Sequence, residues 1–316
     1  MAEFTLTILG SGSALPMHGR HPSAQLVQYD DCTILIDCGE GTQERMIAAG
    51  VRPFKIHHIL ISHLHGDHVF GLPGLLSSFA HLKRNDALTV FGPPGIKGLL
   101  ESIFRFTELN LTYPLSIIEL EVHSPEVIFT QGNMEILCFP LYHRIACNGY
   151  MIREKVPTIH LQKGLQASSH LTIEQIQSLK KGEDIIVGGK WMANEKYLRN
   201  PSGAISYAYC SDTRYDVRLL SWIKGVTVLY YETTFMNDMG AMAELTGHST
   251  AGDAGRMASA AEVICLITGH YSSRYKDAGL LVEEAKVYFD NVLQAEEGRK
   301  YNLRNLASGT VTEAGR

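Results

Sequence analysis

The run Ser62-His63-Leu64-His65-Gly66-Asp67-His68 places three histidines and an aspartate within six residues, directly after the apolar stretch Ile59-Leu60-Ile61. Imidazole and carboxylate are the usual ligands of zinc and related divalent ions. In an extended segment leaving a strand, side chains two apart point the same way, so His63 and His65 share a direction. Gly66 permits a sharp backbone turn, after which Asp67 and His68 can face a neighbouring position. One loop therefore offers two ligands to one metal and two to a second.

A two-metal site needs further ligands, and three β-rich runs end in them: "MEILCFPLYH" in His143, "ISYAYCSD" in Asp212 and "VICLITGH" in His270. Ligands just past adjacent strands converge in one crevice. Asp212 has two oxygens and can be shared. This gives His63, His65 and His143 to one metal, Asp67, His68 and His270 to the other, and Asp212 to both. Two metals about 3.5–4 Å apart clamp the attacking and leaving oxygens of a phosphodiester displacement. The donors favour no single ion: Zn2+ is the first expectation, with Mn2+ and Fe2+ served by the same chemistry.

The elements that must position these residues follow from periodicity. "FTLTIL" reads as a first strand. "AQLVQY" and "CTILIDCG" read as a hairpin turning at Asp30-Asp31, and a second hairpin turns around Gln131-Gly132-Asn133. Further strands are expected at "HHILIS", "LTVFG", "AISYAYCSD", "VTVLYYET" and "EVICLITGH". Apolar residues at helical spacing predict helices over 72–83, 95–107, 214–224, 250–261 and 277–289, with Ser249 or Thr250 capping the fourth. "DCGEGTQ" predicts a close turn into a helix at 42–49, with Asp37 placed to support a ligand histidine. Strands alternating with helices make this an α/β chain.

Residues 153–201 have a different texture: polar, irregular, with one short helical pattern ("TIEQIQSLKK"), and eight Lys/Arg against five Asp/Glu in a chain of net charge −5. The acidic whole argues against a nucleic-acid binder that uses its entire surface and leaves room for a local basic patch. No run of about 18 apolar residues offers a membrane span. The first residues carry no basic leader, so no signal peptide is expected. The six cysteines are scattered without a C-x-x-C pair and read as buried thiols of a cytoplasmic protein. "GSGSALPMHG" fails the G-x-G-x-x-G pattern at Leu15 and reads as a tight turn beside the crevice. The eight remaining histidines have no partner pattern and read as structural or exposed.

Six motifs occur in order along almost the whole chain: "DCGEGTQ" (37–43), "SHLHGDHVFGLPGLL" (62–76), "SDTR" (211–214), "YETTF" (231–235), "GHST" (247–250) and "HYSSRY" (270–275). Together they resemble the ribonuclease Z family of tRNA 3′-processing endonucleases, within the metallo-β-lactamase superfamily. The resemblance implies a four-layer αβ/βα metallo-β-lactamase sandwich over residues 1–306. It makes 153–201 an inserted basic tRNA-binding arm; the small, polar run 307–316 reads from its composition as a disordered tail. It implies two divalent metal ions, a homodimer in the cytoplasm, precursor tRNA as partner and no membrane. The reaction would cut the 3′ trailer after the discriminator nucleotide, leaving a tRNA 3′ hydroxyl and a trailer 5′ phosphate.

The resemblance also implies residue roles. Asp67 would be both metal ligand and acceptor of the attacking water's proton. His248 would assist the departing 3′ oxygen, Glu232 would hold His248, and Arg274 would contact a phosphate. The family's N-terminal P-x-K-x-R-N loop stands here as Pro16-Met17-His18-Gly19-Arg20-His21, keeping Arg20 as a substrate contact. "YETT" replaces the family's "HEAT" and keeps the glutamate. The arm lacks the usual Gly-Pro-rich stretch. The alternative is a small-molecule phosphodiesterase or arylsulfatase-type hydrolase of the same superfamily, built on the same metal site.

Overall fold

The computed structural model describes residues 3–155, 171–180, 183–192 and 204–309. Two seven-stranded mixed sheets carry the chain. The first has the order β16(Lys300–Asn302), β1(Phe4–Gly10), β2(Ala24–Tyr29), β3(Cys32–Ile36), β4(Ile56–Leu60), β5(Leu88–Gly92), β6(Leu115–Glu119). The second runs β15(Val292–Gln294), β14(Cys265–Gly269), β13(Val228–Glu232), β12(Ser206–Cys210), β9(Cys147–Glu154), β8(Met134–Leu141), β7(Glu126–Gln131). Alternation in the leading strands explains the sandwich. Phe4, Leu6 and Ile8, then Val27 and Tyr29, then Ile34 and Ile36 point at the second sheet and join its Ile136, Phe139, Tyr207 and Leu229 in one core. Intervening residues such as Leu26 and Leu35 face outward into a second core.

That second core is closed by helices. α1(Thr42–Ala48), α2(Gly66–Val69), α3(Leu72–His81) and α4(Ile96–Phe106) flank the first sheet. α3 buries Leu72, Leu75, Leu76 and Phe79, the i, i+3, i+4, i+7 stripe, and Pro73 suits its first turn. Each such side chain contributes about 1.5–3 kcal/mol on burial. After the short α7(Gly240–Thr246), α8(Ala251–Ala260) and α9(Gly279–Lys286) lie on the far side of the second sheet, and their Ala254, Met257, Leu281 and Ala285 pack on it. Four layers result. The segment 214–224, expected to be one helix, is a 3₁₀ turn at Val217–Leu219 running into the single-turn α6(Leu220–Ile223).

The excursion between β9 and β12 begins later than the expected boundary at 153. Arg153 pairs with Ser206, and Glu154 Oε2 accepts a hydrogen bond from Ile205 N at 3.0 Å, so both belong to the sheet. Beyond them, α5(Ile173–Lys180) buries Leu179, and a hairpin of β10(Ile185–Val187) and β11(Lys190–Met192) turns at Gly188-Gly189, both at positive φ. Residues 156–170, 181–182 and 193–203, with His160 and His170, lie outside the described residues, as do 310–316 of the expected tail. Ala307, which opens that tail, is the last residue of α10(Leu303–Ala307). Among the described residues no helix is long and apolar enough to cross a membrane. All six cysteines are buried and free.

His58 on β4 illustrates a buried histidine with no part in the metal centre. Its ring packs 4.1 Å from that of Phe129, and Nδ1 has no partner among the described residues. Burial, then the neighbouring His57, pushes its pKa down to about 4. The unfolded chain takes up that proton near pH 6.5, so folding stability falls as pH drops from 6.5 towards 4. His58→Leu should remove about 2–3 kcal/mol of that acid sensitivity. Urea midpoints of both proteins at pH 7 and 4.5 measure it; equal losses in the two would refute it.

Candidate metal centre

All the ligand candidates leave strand ends along one edge. β8 and β12 both run antiparallel to β9, and β13 and β14 run parallel to β12, so His143, Asp212, Glu232 and His270 emerge together. The loop after β4 adds the rest. His65 is extended (φ −68°, ψ 147°) and Gly66 starts α2, so the chain changes course between His65 and Asp67. The ligand atoms of His63, His65, His143 and Asp212 lie within 4.8 Å of one another, and so do those of Asp67, His68 and His270.

Asp212 sits between the two sets. Its Oδ2 is 3.5 Å from His63 Nε2 and 3.8 Å from His143 Nε2. Its Oδ1 is 3.3 Å from His68 Nε2 and 3.1 Å from His270 Nε2. Asp67 Oδ2 lies 3.6 Å from His68 Nε2 and 3.5 Å from His270 Nε2, and accepts a hydrogen bond from Ala14 N at 2.8 Å.

The outer nitrogens decide which inner atoms can bind a cation. His68 Nδ1 donates to Asp37 Oδ2 at 2.7 Å, and His143 Nδ1 to the Gly247 carbonyl at 2.7 Å. His63 Nδ1 faces Ser62 Oγ at 3.0 Å, and that hydroxyl spends its own proton on Asp37. His270 Nδ1 faces Thr234 Oγ1 at 2.9 Å, whose hydroxyl donates to Glu232. Both hydroxyls must therefore accept, and all four histidines carry the proton outside and a lone pair inside. Tyr209 donates a further hydrogen bond to Asp37 at 2.6 Å.

The inner nitrogens then face one another. His63 Nε2 is 3.0 Å and His143 Nε2 is 3.2 Å from His65 Nδ1, and His68 Nε2 is 3.3 Å from His270 Nε2. Burial, then His63 and His143, holds the His65 pKa down to about 4, which keeps it neutral. Opposed lone pairs beside buried carboxylates repel unless a cation lies between them, so this donor set fits divalent metal ions. Stripping metal with a chelator should lower the unfolding temperature. Returning Zn2+ or Mn2+ should restore it, by about 2.7 kcal/mol per site at a hundredfold excess over Kd. Calorimetry on both forms measures this; identical traces would count against the fit.

His248 and Glu232 sit beside the cluster. Glu232 is fully buried and accepts from Thr213 N at 2.8 Å, from Thr234 and from His248 Nδ1 at 2.9 Å. His248 Nδ1 is also its nitrogen nearest Asp212, at 3.9 Å. That nitrogen carries the proton for Glu232, so it offers no lone pair to a metal. Burial would lower the His248 pKa; the charge and hydrogen bond of Glu232, then Asp212, outweigh it and raise the value to about 9. His248 is fixed in the chain by the start of α8. There Thr250 Oγ1 accepts from Asp253 N, and the Asp253 carboxylate accepts from Thr250 N at 2.9 Å, a capping box.

A cavity of about 380 Å³ opens over the cluster, lined among others by His65, Asp67, Asp212 and His248. The two arginines expected to touch substrate are engaged otherwise. Arg20 gives its guanidinium to the carbonyls of Ser272, Tyr275 and Lys276, clasping the N-terminal loop to the loop after His270. Arg274 stacks over Phe235 with its Cζ 5.5 Å from the ring centre. Neither is among the residues lining the cavity, whereas Arg144 and Phe70 are. Sequence reading passed over those two, although one adjoins His143 and the other lies two residues beyond His68.

A family model described as Anti-Pycsar protein Apyc1 matches residues 4–104. The ribonuclease Z of Parabacteroides distasonis is 36% identical over 304 residues, 96% of this chain and 100% of its own length. Among solved structures, the short form of human tRNase Z has a TM-score of 0.70 at 21% identity, covering 95% of this chain and 99% of that one. The metallo-β-lactamase fold protein YhfI of Bacillus subtilis has a TM-score of 0.66 at 19% identity, covering 95% of this chain and 99% of its own. The fold is the metallo-β-lactamase sandwich.

Proposed function

The chain belongs to the ribonuclease Z family, and from that premise we propose that it is a metal-dependent endoribonuclease that cuts the 3′ trailer from precursor tRNA after the discriminator nucleotide. The observation that carries this reading is the shared carboxylate of Asp212 between two imidazole sets, with His248 held on Glu232 beside them. His63, His65, His143 and Asp212 would hold one ion, Zn2+ first among the candidates, and Asp67, His68, His270 and Asp212 a second. Such ions, when bound, lower the pKa of water and neutralise phosphate charge.

The chain's own groups do the rest. The Asp67 carboxylate, fixed by the Ala14 amide, accepts the proton of the attacking water. His248 Nε2 donates a proton to the departing 3′ oxygen, while Glu232 on Nδ1 keeps the ring charged and aimed. Arg274 meets a phosphate on entry, and Arg20 supports it by clasping its loop. Residues 1–306 form the catalytic domain, the excursion between β9 and β12 grips the tRNA body, and the enzyme works as a cytoplasmic homodimer.

The test compares kcat/KM for a precursor tRNA with that for a small phosphodiester, using one metal-loaded preparation. A strong preference for the precursor is expected. Efficient turnover of the small ester without a cut in any precursor would move the substrate to the small-molecule class.

A further inference from the structure

Phe70 is 70% exposed, yet it lines the catalytic cavity. Its backbone is held from three sides. Phe70 N donates to the Gly66 carbonyl at 2.9 Å and Gly71 N to the Cys38 carbonyl at 2.9 Å. Gly71 presses so close to the Gly39 carbonyl that no side chain would fit at 71. The ring lies against Gly66, where any side chain would collide with it. One side of the aromatic ring is thus covered at Gly66 and much of the rest left to solvent. Among the described residues Arg144 is the one Lys or Arg lining the cavity. Its stem rests on Gly247, next to His248, and no carboxylate pairs with it among the described residues.

We propose that this rim is a nucleotide subsite, in which Phe70 stacks on a base flanking the cut bond and Arg144 takes an adjoining phosphate. The inference rests on the reading of the chain as a precursor-tRNA nuclease. A π-face suits the task because every base has one, so stacking positions the strand without selecting its sequence. Phe70 is a positioning residue: it fixes the nucleotide whose phosphate meets Asp67 and His248. The cation supplies the backbone contact that an acidic cavity otherwise lacks.

The test uses precursor tRNAs that are intact or abasic at either nucleotide flanking the cut, with wild type, Phe70→Leu, Phe70→Trp and Arg144→Gln. On intact precursor, Phe70→Leu should lose roughly 5- to 100-fold in kcat/KM and Phe70→Trp should regain most of it. On one of the two abasic precursors, wild type and Phe70→Leu should cut equally slowly. Arg144→Gln should flatten the plot of log kcat/KM against log salt by about 0.7. A Phe70→Leu loss that persists on both abasic precursors, or that Trp does not repair, overturns the stacking role; an unchanged salt slope overturns the Arg144 contact. If wild type cuts no precursor at all, the nuclease reading itself fails, and the subsite with it.

Discussion

Asp212→Asn should cost about 10³-fold or more in kcat/KM and at least one metal ion per chain. The carboxylate is almost wholly buried, and its two oxygens lie 3.1–3.8 Å from four ligand nitrogens. Asparagine keeps the shape but loses the charge, and its NH2 has no lone pair to offer a cation. Both ligand sets are disturbed by one exchange, because this is the side chain they share. Several kcal/mol of charge stabilisation depend on ions so held, and each 1.36 kcal/mol is tenfold in rate. Elemental analysis alongside kinetics makes the check. Full metal content with near-normal turnover would remove Asp212 from the centre.

His248→Ala should lower kcat by about 10²- to 10⁴-fold with KM little changed, the range for a lost proton donor. The loss should shrink on a substrate with a nitrophenolate leaving group, which departs without a proton. A ring that merely props up the fold would hurt both substrates alike. Glu232→Gln should give a smaller loss, and the double variant should be no worse than His248→Ala, because the carboxylate works through the imidazole. Additive losses would contradict that coupling. Glu232 also accepts from Thr213 and Thr234, so its exchange should cost stability as well, which thermal unfolding reads separately.

Much of the sandwich was legible because its strands carry strong local signals. β2 and β3 pair antiparallel across Asp30-Asp31, and Asp30 takes the positive φ of 46° that the tight turn requires. The helices over 72–83, 95–107 and 250–261 stand within a residue or two, since their apolar stripes face the sheets. β9, by contrast, leaves no strand signal in the sequence, and the excursion starts after it rather than at 153. Its buried "CNGYMIRE" lacks alternation because sheet and core cover both faces. The three-residue strands β15 and β16 are too short to show any period.

At the site, spacing was enough to propose ligand pairs in the loop after β4, since direction along an extended chain repeats every two residues. The outer partners were not legible. Ser62 and Thr234 matter only because their hydroxyls are committed to Asp37 and Glu232, a fact of three-dimensional placement. Arg20, a substrate contact by the family resemblance, is held by three carbonyls contributed by residues over 250 positions away. Phe70 carries no signal in the sequence and stands in the open.

The most direct measurement is the product map of one precursor tRNA with a 3′ trailer, cut by purified metal-loaded protein with and without chelator. The expected result is a single cut after the discriminator nucleotide, leaving a 3′ hydroxyl, abolished by chelator and restored by Zn2+ or Mn2+. Failure to cut any of several precursors, or a cut that persists undiminished in chelator, would contradict a metal-dependent tRNA 3′ endonuclease.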